Sequence, residues 1–384
     1  MDFQLSEEHQ LFQRTVREFA DKEIAPKALY YDKNHEFPWE NIKKMAALGL
    51  LGVPYSEEWG GAGGDSLMYA IAVEEISRAC GSTGIILAAH TSLGSAPFYL
   101  FGTEEQKRKY LIPLARGEKL GAFGLSEAEA GSDAAGTRTT AVLDGNEWVI
   151  NGTKNWITSG SLADTVIITA MTDKSKGALG ISNFIVEKGT PGFSYGKNEE
   201  KMGLRASVTS QLFFDNCRIP KENILGQPND GFKQFMQILD AGRISIGAMA
   251  LGIAQAAYEA AIRYATQRHQ FGRPISDFQA IQFKLADMAT QLEAARLLIY
   301  RSAWLKDKKL PFGKEAAMAK LFASEVGERA CHQAIQIHGG YGYVEEYHVE
   351  RYYRDIRLCE IGEGTSEIQR IVIARHLLRE LKHQ

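Results

Sequence analysis

Three blocks of different periodicity predict a multidomain α+β protein. They are an N-terminal all-α domain over residues 1–119, a middle antiparallel β-barrel or sandwich domain over 120–228, and a C-terminal four-helix bundle over 229–384. The outer blocks carry apolar residues at steps of three and four, the mark of a helix face packed on a core. The middle block carries short β-branched runs cut by turn residues.

The N-terminal block opens at Ser6, a candidate N-cap, with Leu11, Phe12, Val16, Phe19 and Ala20 spaced for one helical face. Pro26 and Pro38 interrupt it, residues 41–51 form a second periodic stretch ending near Gly52, and Gly60-Gly61-Ala62-Gly63-Gly64 has to be a loop. Residues 67–80 and 103–114 add further helices. In the middle block, Ala141-Val142-Leu143 and Glu147-Trp148-Val149-Ile150 flank Asp144-Gly145, a pair that supplies the positive φ angles of a tight hairpin. Asn151-Gly152 reads as another turn, and strands follow over 154–158, 165–170, 183–187 and 211–214. In the last block, Phe232, Phe235, Met236 and Leu239 begin a helix that runs to about Arg268. Ser276-x-x-Gln279 reads as a capping box ahead of a core seam of Phe278, Ile281, Leu285, Met288, Leu292, Ala295 and Ile299. A third helix over 314–337 stops at Gly339-Gly340, and Ser366-x-x-Gln369 caps a fourth. Long helices with short connections argue an antiparallel bundle.

Composition bounds the function. The 384 residues are 45% hydrophobic and 24% charged, the balance of a folded chain with a sizeable core. Lys+Arg 44 against Asp+Glu 47 leaves a net charge of −3, without the basic excess that a nucleic-acid surface requires. Cys80, Cys217, Cys331 and Cys359 lie far apart with no C-x-x-C pair, which argues against a disulfide framework and fits a reducing compartment. Residues 1–9 have no basic segment followed by an apolar run, so no secretory signal is expected, and no stretch of about 18 apolar residues is expected to span a membrane. The expected location is the cytoplasm, or the mitochondrial matrix for a processed mature chain.

Several generic motifs drop out. Gly192-Phe193-Ser194-Tyr195-Gly196 matches G-x-S-x-G but lacks the strand and helix that build a nucleophile elbow. There is no P-loop and no G-x-G-x-x-G, and the nine histidines show no metal-ligand spacing. Asn151-Gly152-Thr153 is a formal glycosylation sequon that reads more simply as a turn.

Four segments remain. Phe123-Gly124-Leu125-Ser126-Glu127 runs into Ala130-Gly131-Ser132-Asp133, a strand end and a loop of small residues whose N–H and hydroxyl groups suit a polar cofactor. Trp156-Ile157-Thr158-Ser159-Gly160 sets an indole close to a hydroxyl, which ordinary barrel core would also do. Arg268-His269-Gln270-Phe271-Gly272-Arg273 ends a long helix, where basic residues are expected from the helix dipole alone. In Gly362-Glu363-Gly364-Thr365, two glycines let the backbone approach a ligand while one carboxylate projects, a suitable general base if burial raises its pKa. Glu363 is one of 47 acidic residues, and residue chemistry alone does not select it.

In order and spacing, these segments together with Leu239-Asp240-Ala241-Gly242-Arg243 and Gly364-Thr365-Ser366-Glu367-Ile368-Gln369-Arg370 resemble the acyl-CoA dehydrogenase family over essentially the whole chain, most closely its short-chain, butyryl-type branch. The resemblance implies FAD held without a covalent bond between the β domain and the C-terminal bundle. Phe123, Leu125 and Ser126 would line the flavin, with Trp156, Ile157 and Thr158 on its other side. Arg268, Phe271, Gln279, Gln336, Ile337, Gly339 and Gly340 match positions that hold the pyrophosphate and adenine across a subunit interface, and Thr365 and Glu367 match further FAD contacts. Ser132, Asp240, Arg243 and Gly364 match acyl-CoA contacts, and Glu363 matches the catalytic base. The resemblance further implies a homotetramer and an electron-transfer flavoprotein as electron acceptor.

The implied reaction takes a proton from C2 of a short- or medium-chain acyl-CoA through Glu363 and a hydride from C3 through the flavin N5, giving the trans-2,3-enoyl-CoA. Hydrogen bonds to the thioester carbonyl, one of them from the Glu363 N–H, would stabilise the developing enolate. Two departures bear on specificity. Ala128-Glu129 stands where the family carries Pro-Gly, and Gly362 stands where many relatives carry Tyr, which opens the question of chain length. Gly242 lies where isovaleryl-type relatives carry their base. An oxidase of the same fold that uses oxygen is the alternative, and a flavin-carrying nucleic-acid-binding relative is a third reading opposed by the net charge. The basic run Arg375, His376, Arg379 and Lys382 reads as a solvated helix face.

Overall fold

A computed structural model describes residues 4–382. Fourteen α-helices and ten strands are assigned among these residues. The N-terminal helices are α1 (Glu7–Phe19), α2 (Ala28–Asn34), α3 (Trp39–Ala47), α4 (Ser66–Ala79), α5 (Gly81–Ala88), α6 (Ala96–Phe101), α7 (Glu104–Gln106) and α8 (Ile112–Ala115). Ser6 caps α1 as its position predicts, its hydroxyl accepting from the His9 N–H at 3.3 Å. A wide π-type turn at Lys107–Leu111 breaks the helix predicted over 103–114, and another lies at Ala89–Ser95.

The middle strands are β1 (Gly121–Gly124), β2 (Thr140–Asp144), β3 (Glu147–Thr158), β4 (Thr165–Met171), β5 (Ile181–Glu187), β6 (Phe193–Asn198), β7 (Thr209–Pro220) and β8 (Ile224–Leu225). The order β6-β7-β3-β2-β4-β5-β8, with β1 beside β4, joins two halves through the single Thr140–Met171 pairing. The predicted hairpin at Asp144-Gly145 forms with Ala141 opposite Ile150. The expectation of an all-antiparallel sheet is corrected, because β1 and β4 run parallel. Asn151-Gly152 is no turn either: β3 runs through it, and Gly152 at φ 147° sits in a shift of the register with β7. Phe193–Gly196 of the G-x-S-x-G match lie in β6, paired to β7.

Helices α9 (Gly231–Gln267), α10 (Gln279–Asp307), α11 (Gly313–His338) and α14 (Ser366–Lys382) form the C-terminal bundle. A small β9 (His269–Gln270) and β10 (Arg273–Pro274) make the tip between α9 and α10, and α12 (Val349–Ile356) and α13 (Leu358–Ile361) lead into α14. Both predicted capping boxes are corrected. Phe278 precedes α10 without a side-chain cap, and at α14 it is the Thr365 hydroxyl that accepts from the Ile368 N–H, at 3.3 Å, while the Ser366 hydroxyl is buried unpaired. The seam on α10 is buried from Met288 through Leu292, Ala295 and Ile299, whereas Phe278, Ile281 and Leu285 are only half-buried. Arg375 and Arg379 are exposed as expected and His376 is half-buried; the Lys382 side chain lies outside the described residues.

One core unites the two helical blocks: Tyr69, Val73 and Ile76 of α4 share it with Ile246, Met249 and Ile253 of α9. A second fills the β domain, around Trp148, Ile150, Val166, Ile168 and Phe184. A third docks the β domain on the helices, through Phe123, Ile167 and Ile185 against Phe98, Leu111, Phe235 and Ile238. Strand β4 therefore needs apolar side chains on both faces, which is why consecutive residues Val166, Ile167 and Ile168 are all apolar. Two stretches, Gly81–Phe101 and Gly231–Gln267, are long and apolar enough to cross a membrane, which corrects the reading that none is; 72% and 78% of their most apolar windows are buried in these cores.

Candidate active site

The site gathers at the junction of the three cores. Glu363 and Gly364 occupy the turn between α13 and α14 with φ of 52° and 91°. A non-glycine residue in the left-handed region carries strain that its surroundings must hold. Three hydrogen bonds do so: Lys320 Nζ donates to the Gly364 carbonyl at 2.6 Å, and the Gln369 amide donates to the Gly364 and Glu363 carbonyls at 2.8 and 3.4 Å. The turn aims the carboxylate at α9, where a Cβ on Gly242 would collide with Glu363 Oε2. Gly242 is thus the space the carboxylate occupies.

Oε2 is shut off from solvent and, among the described residues, has no hydrogen-bond partner. Burial pushes the Glu363 carboxyl up to about 7, against the opposing pull of the Lys320 and Arg243 charges. The result is an acid poised near neutrality with a free oxygen. Arg243, itself buried, pairs with the half-buried Asp240 one turn earlier on α9. The Tyr69 hydroxyl donates to the Ala88 carbonyl at 3.0 Å, and burial raises its pKa so that it stays neutral.

The second part of the site is joined to the first through residues 89–95. Leu93 lies beside Gly242, and Gly94 packs backbone-to-backbone on Gly121 at the start of β1. From there β1 delivers Phe123 into the docking core, with Leu125 and Ser126 half-buried beyond it. The Ser126 carbonyl accepts from the Asn155 N–H at 2.8 Å, which ties this strand end to a bulge in β3. In that bulge Trp156 takes φ 64° and turns its indole outward, 64% exposed, with Thr158 half-buried two residues on. Ile157 points the other way, into the β core.

A pair that sequence reasoning missed anchors this loop. Lys154 is fully buried and donates to Glu127 Oε1 at 2.7 Å, the Leu125 carbonyl at 3.1 Å, Thr137 Oγ1 at 3.1 Å and Thr169 Oγ1 at 3.0 Å. Glu127 also accepts from the N–H groups of Arg138 and Thr139. Burial opposes its charge, but Lys154 and these donors hold its carboxyl down at about 2, while burial lowers Lys154 to about 8. The signal was present in the sequence: Lys154 keeps the period of two set by Trp148 and Ile150, hence the inward face of β3.

The remaining predicted residues stand elsewhere. Arg268 is half-buried at the end of α9 with its guanidinium 5.5 Å from the Tyr341 ring. Phe271, at φ 51°, is 94% exposed on the α9–α10 tip. Gln279, Gln336, Gly339 and Gly340 are exposed, and Ile337 is buried in the helical core. Thr365 caps α14, Glu367 is exposed in its first turn, and Ser132 is exposed in the loop after β1.

Three family models match in sequence: acyl-CoA dehydrogenase N-terminal domain at 6–118, middle domain at 122–217 and C-terminal domain at 229–378. The chain belongs to the acyl-CoA dehydrogenase family. Members are FAD-dependent oxidoreductases. The rat short-chain specific acyl-CoA dehydrogenase of mitochondria is 54% identical over 99% of this chain and 92% of its own. A chain in the solved structure of the electron transferring flavoprotein of Acidaminococcus fermentans superposes with a TM-score of 0.97 at 51% identity, covering 99% of this chain and 100% of that one. The butyryl-CoA dehydrogenase of Megasphaera elsdenii gives 0.96 at 47% identity, covering 98% and 100%. For this acyl-CoA dehydrogenase, the outward indole of Trp156 and the half-buried hydroxyls of Ser126 and Thr158 fit a flavin, which presents a flat aromatic face with polar edges.

Proposed function

We propose that this dehydrogenase oxidises short-chain acyl-CoA thioesters to trans-2,3-enoyl-CoA, with Glu363 as the base that removes the C2 proton. The observation that carries the reading is the Glu363 carboxyl itself: enclosed, raised to about 7, and facing a glycine that leaves it room. An ordinary carboxylate at 4.5 is too weak a base for a C2 proton, and closing water out of the site strengthens it. Bound FAD supplies the hydride acceptor for C3. Phe123, Leu125, Ser126, Trp156 and Thr158 hold and orient it, with Ile157 contributing backbone. The Glu363 N–H is offered to the thioester carbonyl, where negative charge grows as the proton leaves. Ser132, Asp240, Arg243 and Gly364 bind the acyl-CoA. Thr365 and Glu367 complete the FAD contacts.

Arg268, Phe271, Gln279, Gln336, Gly339 and Gly340 reach the FAD of a neighbouring subunit in a homotetramer. Phe271, a large apolar ring held almost wholly in solvent, supports this assignment. Electrons leave to an electron-transfer flavoprotein, as the A. fermentans relationship supports. The short-chain preference follows the rat and M. elsdenii relatives. Butyryl-CoA added without oxygen is expected to bleach the flavin of the purified yellow protein on the time scale a stopped-flow cell resolves, and octanoyl-CoA to do so at least about tenfold more slowly. Equal rates with both would remove the chain-length assignment, and peroxide release at the turnover rate under air would favour the oxidase.

A further inference from the structure

Two consecutive left-handed residues make the turn at Glu363-Gly364, and what restrains it from outside is a lysine on another helix. Lys320 lies midway along α11 where that helix crosses α9. A Cβ on Gly247 would come within 3.5 Å of the Lys320 backbone, so the two helices meet almost backbone to backbone at this point. Small residues surround it on its own face: Ala316, Ala317, Ala323 and Ser324 are all buried. A fully buried lysine in such a seam costs several kcal/mol in desolvation unless its ammonium is given partners. Among the described residues, its one hydrogen bond is the 2.6 Å donation to the Gly364 carbonyl, on the residue that follows the base.

We propose that Lys320 is the positioning residue of the Glu363 carboxylate: its ammonium clamps the Gly364 carbonyl and thereby aims the side chain one residue back at the substrate carbon. The inference rests on the reading of Glu363 as the base. Arg243 on α9 and Lys320 on α11 are the cations that act on this carboxyl, Tyr69 on α4 and Cys359 on α13 are the other titratable groups coupled to it, and Asp240 pairs with Arg243. Of the two cations, Arg243 is already engaged by Asp240, whereas Lys320 has no carboxylate within ion-pair distance among the described residues. Lys320 therefore sets both the direction of the base and part of the charge it feels. Burial holds Lys320 itself at about 8, so it is mostly charged at neutral pH.

The test compares two variants as FAD-loaded holoenzymes. Lys320→Met removes donor and charge while keeping the length of the side chain; Lys320→Gln removes the charge and keeps a donor. Displacing a catalytic group by about 1 Å costs roughly 100-fold in rate. K320M is expected to lose about 30- to 100-fold in kcat for butyryl-CoA with KM changed less than threefold, and K320Q to retain several times more kcat than K320M. In both, the acid limb of the kcat/KM profile moves to higher pH, because a cation that favoured the ionised carboxylate is gone. Wild-type kcat in K320M, or an acid limb unmoved in both variants, overturns the proposal. So does a loss confined to thermal stability, with kcat per bound flavin unchanged. If K320M does not fold, K320Q alone decides through its acid limb. Glu363→Gln run alongside separates the two claims: an active E363Q sinks the base assignment, whereas an inactive E363Q beside a wild-type K320M sinks only the role of Lys320.

Discussion

Replacing Glu363 by Gln is expected to lower kcat for butyryl-CoA by about 10²- to 10⁴-fold, the range a general base contributes. The amide keeps the shape of the side chain and the left-handed turn, so FAD content and acyl-CoA binding should stay within a few-fold of wild type. It cannot take a proton at neutral pH. Absorbance at the flavin band gives cofactor content, and spectral perturbation by a non-oxidisable thioether CoA analogue gives binding. A variant that binds both and still bleaches anaerobically at more than about a tenth of the wild-type rate would remove Glu363 from its role. The size of the effect follows from the enclosure of Oε2, which is shut off from solvent.

The second large effect is on stability and concerns Lys154. Lys154→Met leaves the Glu127 carboxylate buried with only neutral donors. Breaking a buried pair on one side costs about 3–5 kcal/mol, which for a chain of this size corresponds to a fall in Tm of about 4–6 °C. Because Lys154 also holds the Leu125 carbonyl, FAD should dissociate at the same temperature or below it. The compensated double variant Glu127→Gln, Lys154→Met removes both charges and is expected to recover part of the loss. Thermal denaturation followed by flavin fluorescence reads both quantities in one experiment. A Lys154→Met protein with wild-type Tm and FAD release would show that the pair does not anchor the loop.

These two residues also mark what the sequence makes legible. Helices α9 and α11, the Asp144-Gly145 hairpin and the change of texture near residues 120 and 228 follow from local period and turn chemistry. Details decided by tertiary contact do not. The caps fall at Phe278 and Thr365 because the chain enters each helix at an angle set by its packing, which a capping motif cannot report. The parallel β1–β4 pairing depends on where residues 89–95 place Gly94 against Gly121, 27 positions along the chain. Lys154 and Lys320 were not read from the sequence, although Lys154 keeps the inward period of β3 and Lys320 stands among alanines. Glu363 gives no such local sign: its raised pKa comes from burial among α4, α9 and α11, elements that no local pattern brings together. Motif resemblance selected it, and the fold supplies the physical reason.

The central claim is that the ionised Glu363 carboxylate removes the proton, and pH tests it most directly. Its pKa is raised to about 7, so the active form is lost as pH falls through that value and complete above it. The second-order rate constant of anaerobic flavin bleaching at low butyryl-CoA, which reports the free enzyme, should therefore drop by about tenfold per pH unit below 7 and level off above 8 in the wild-type enzyme. A rate constant flat from pH 5 to 9, with chemistry shown to be rate-limiting by a C2-deuterium isotope effect, would contradict it.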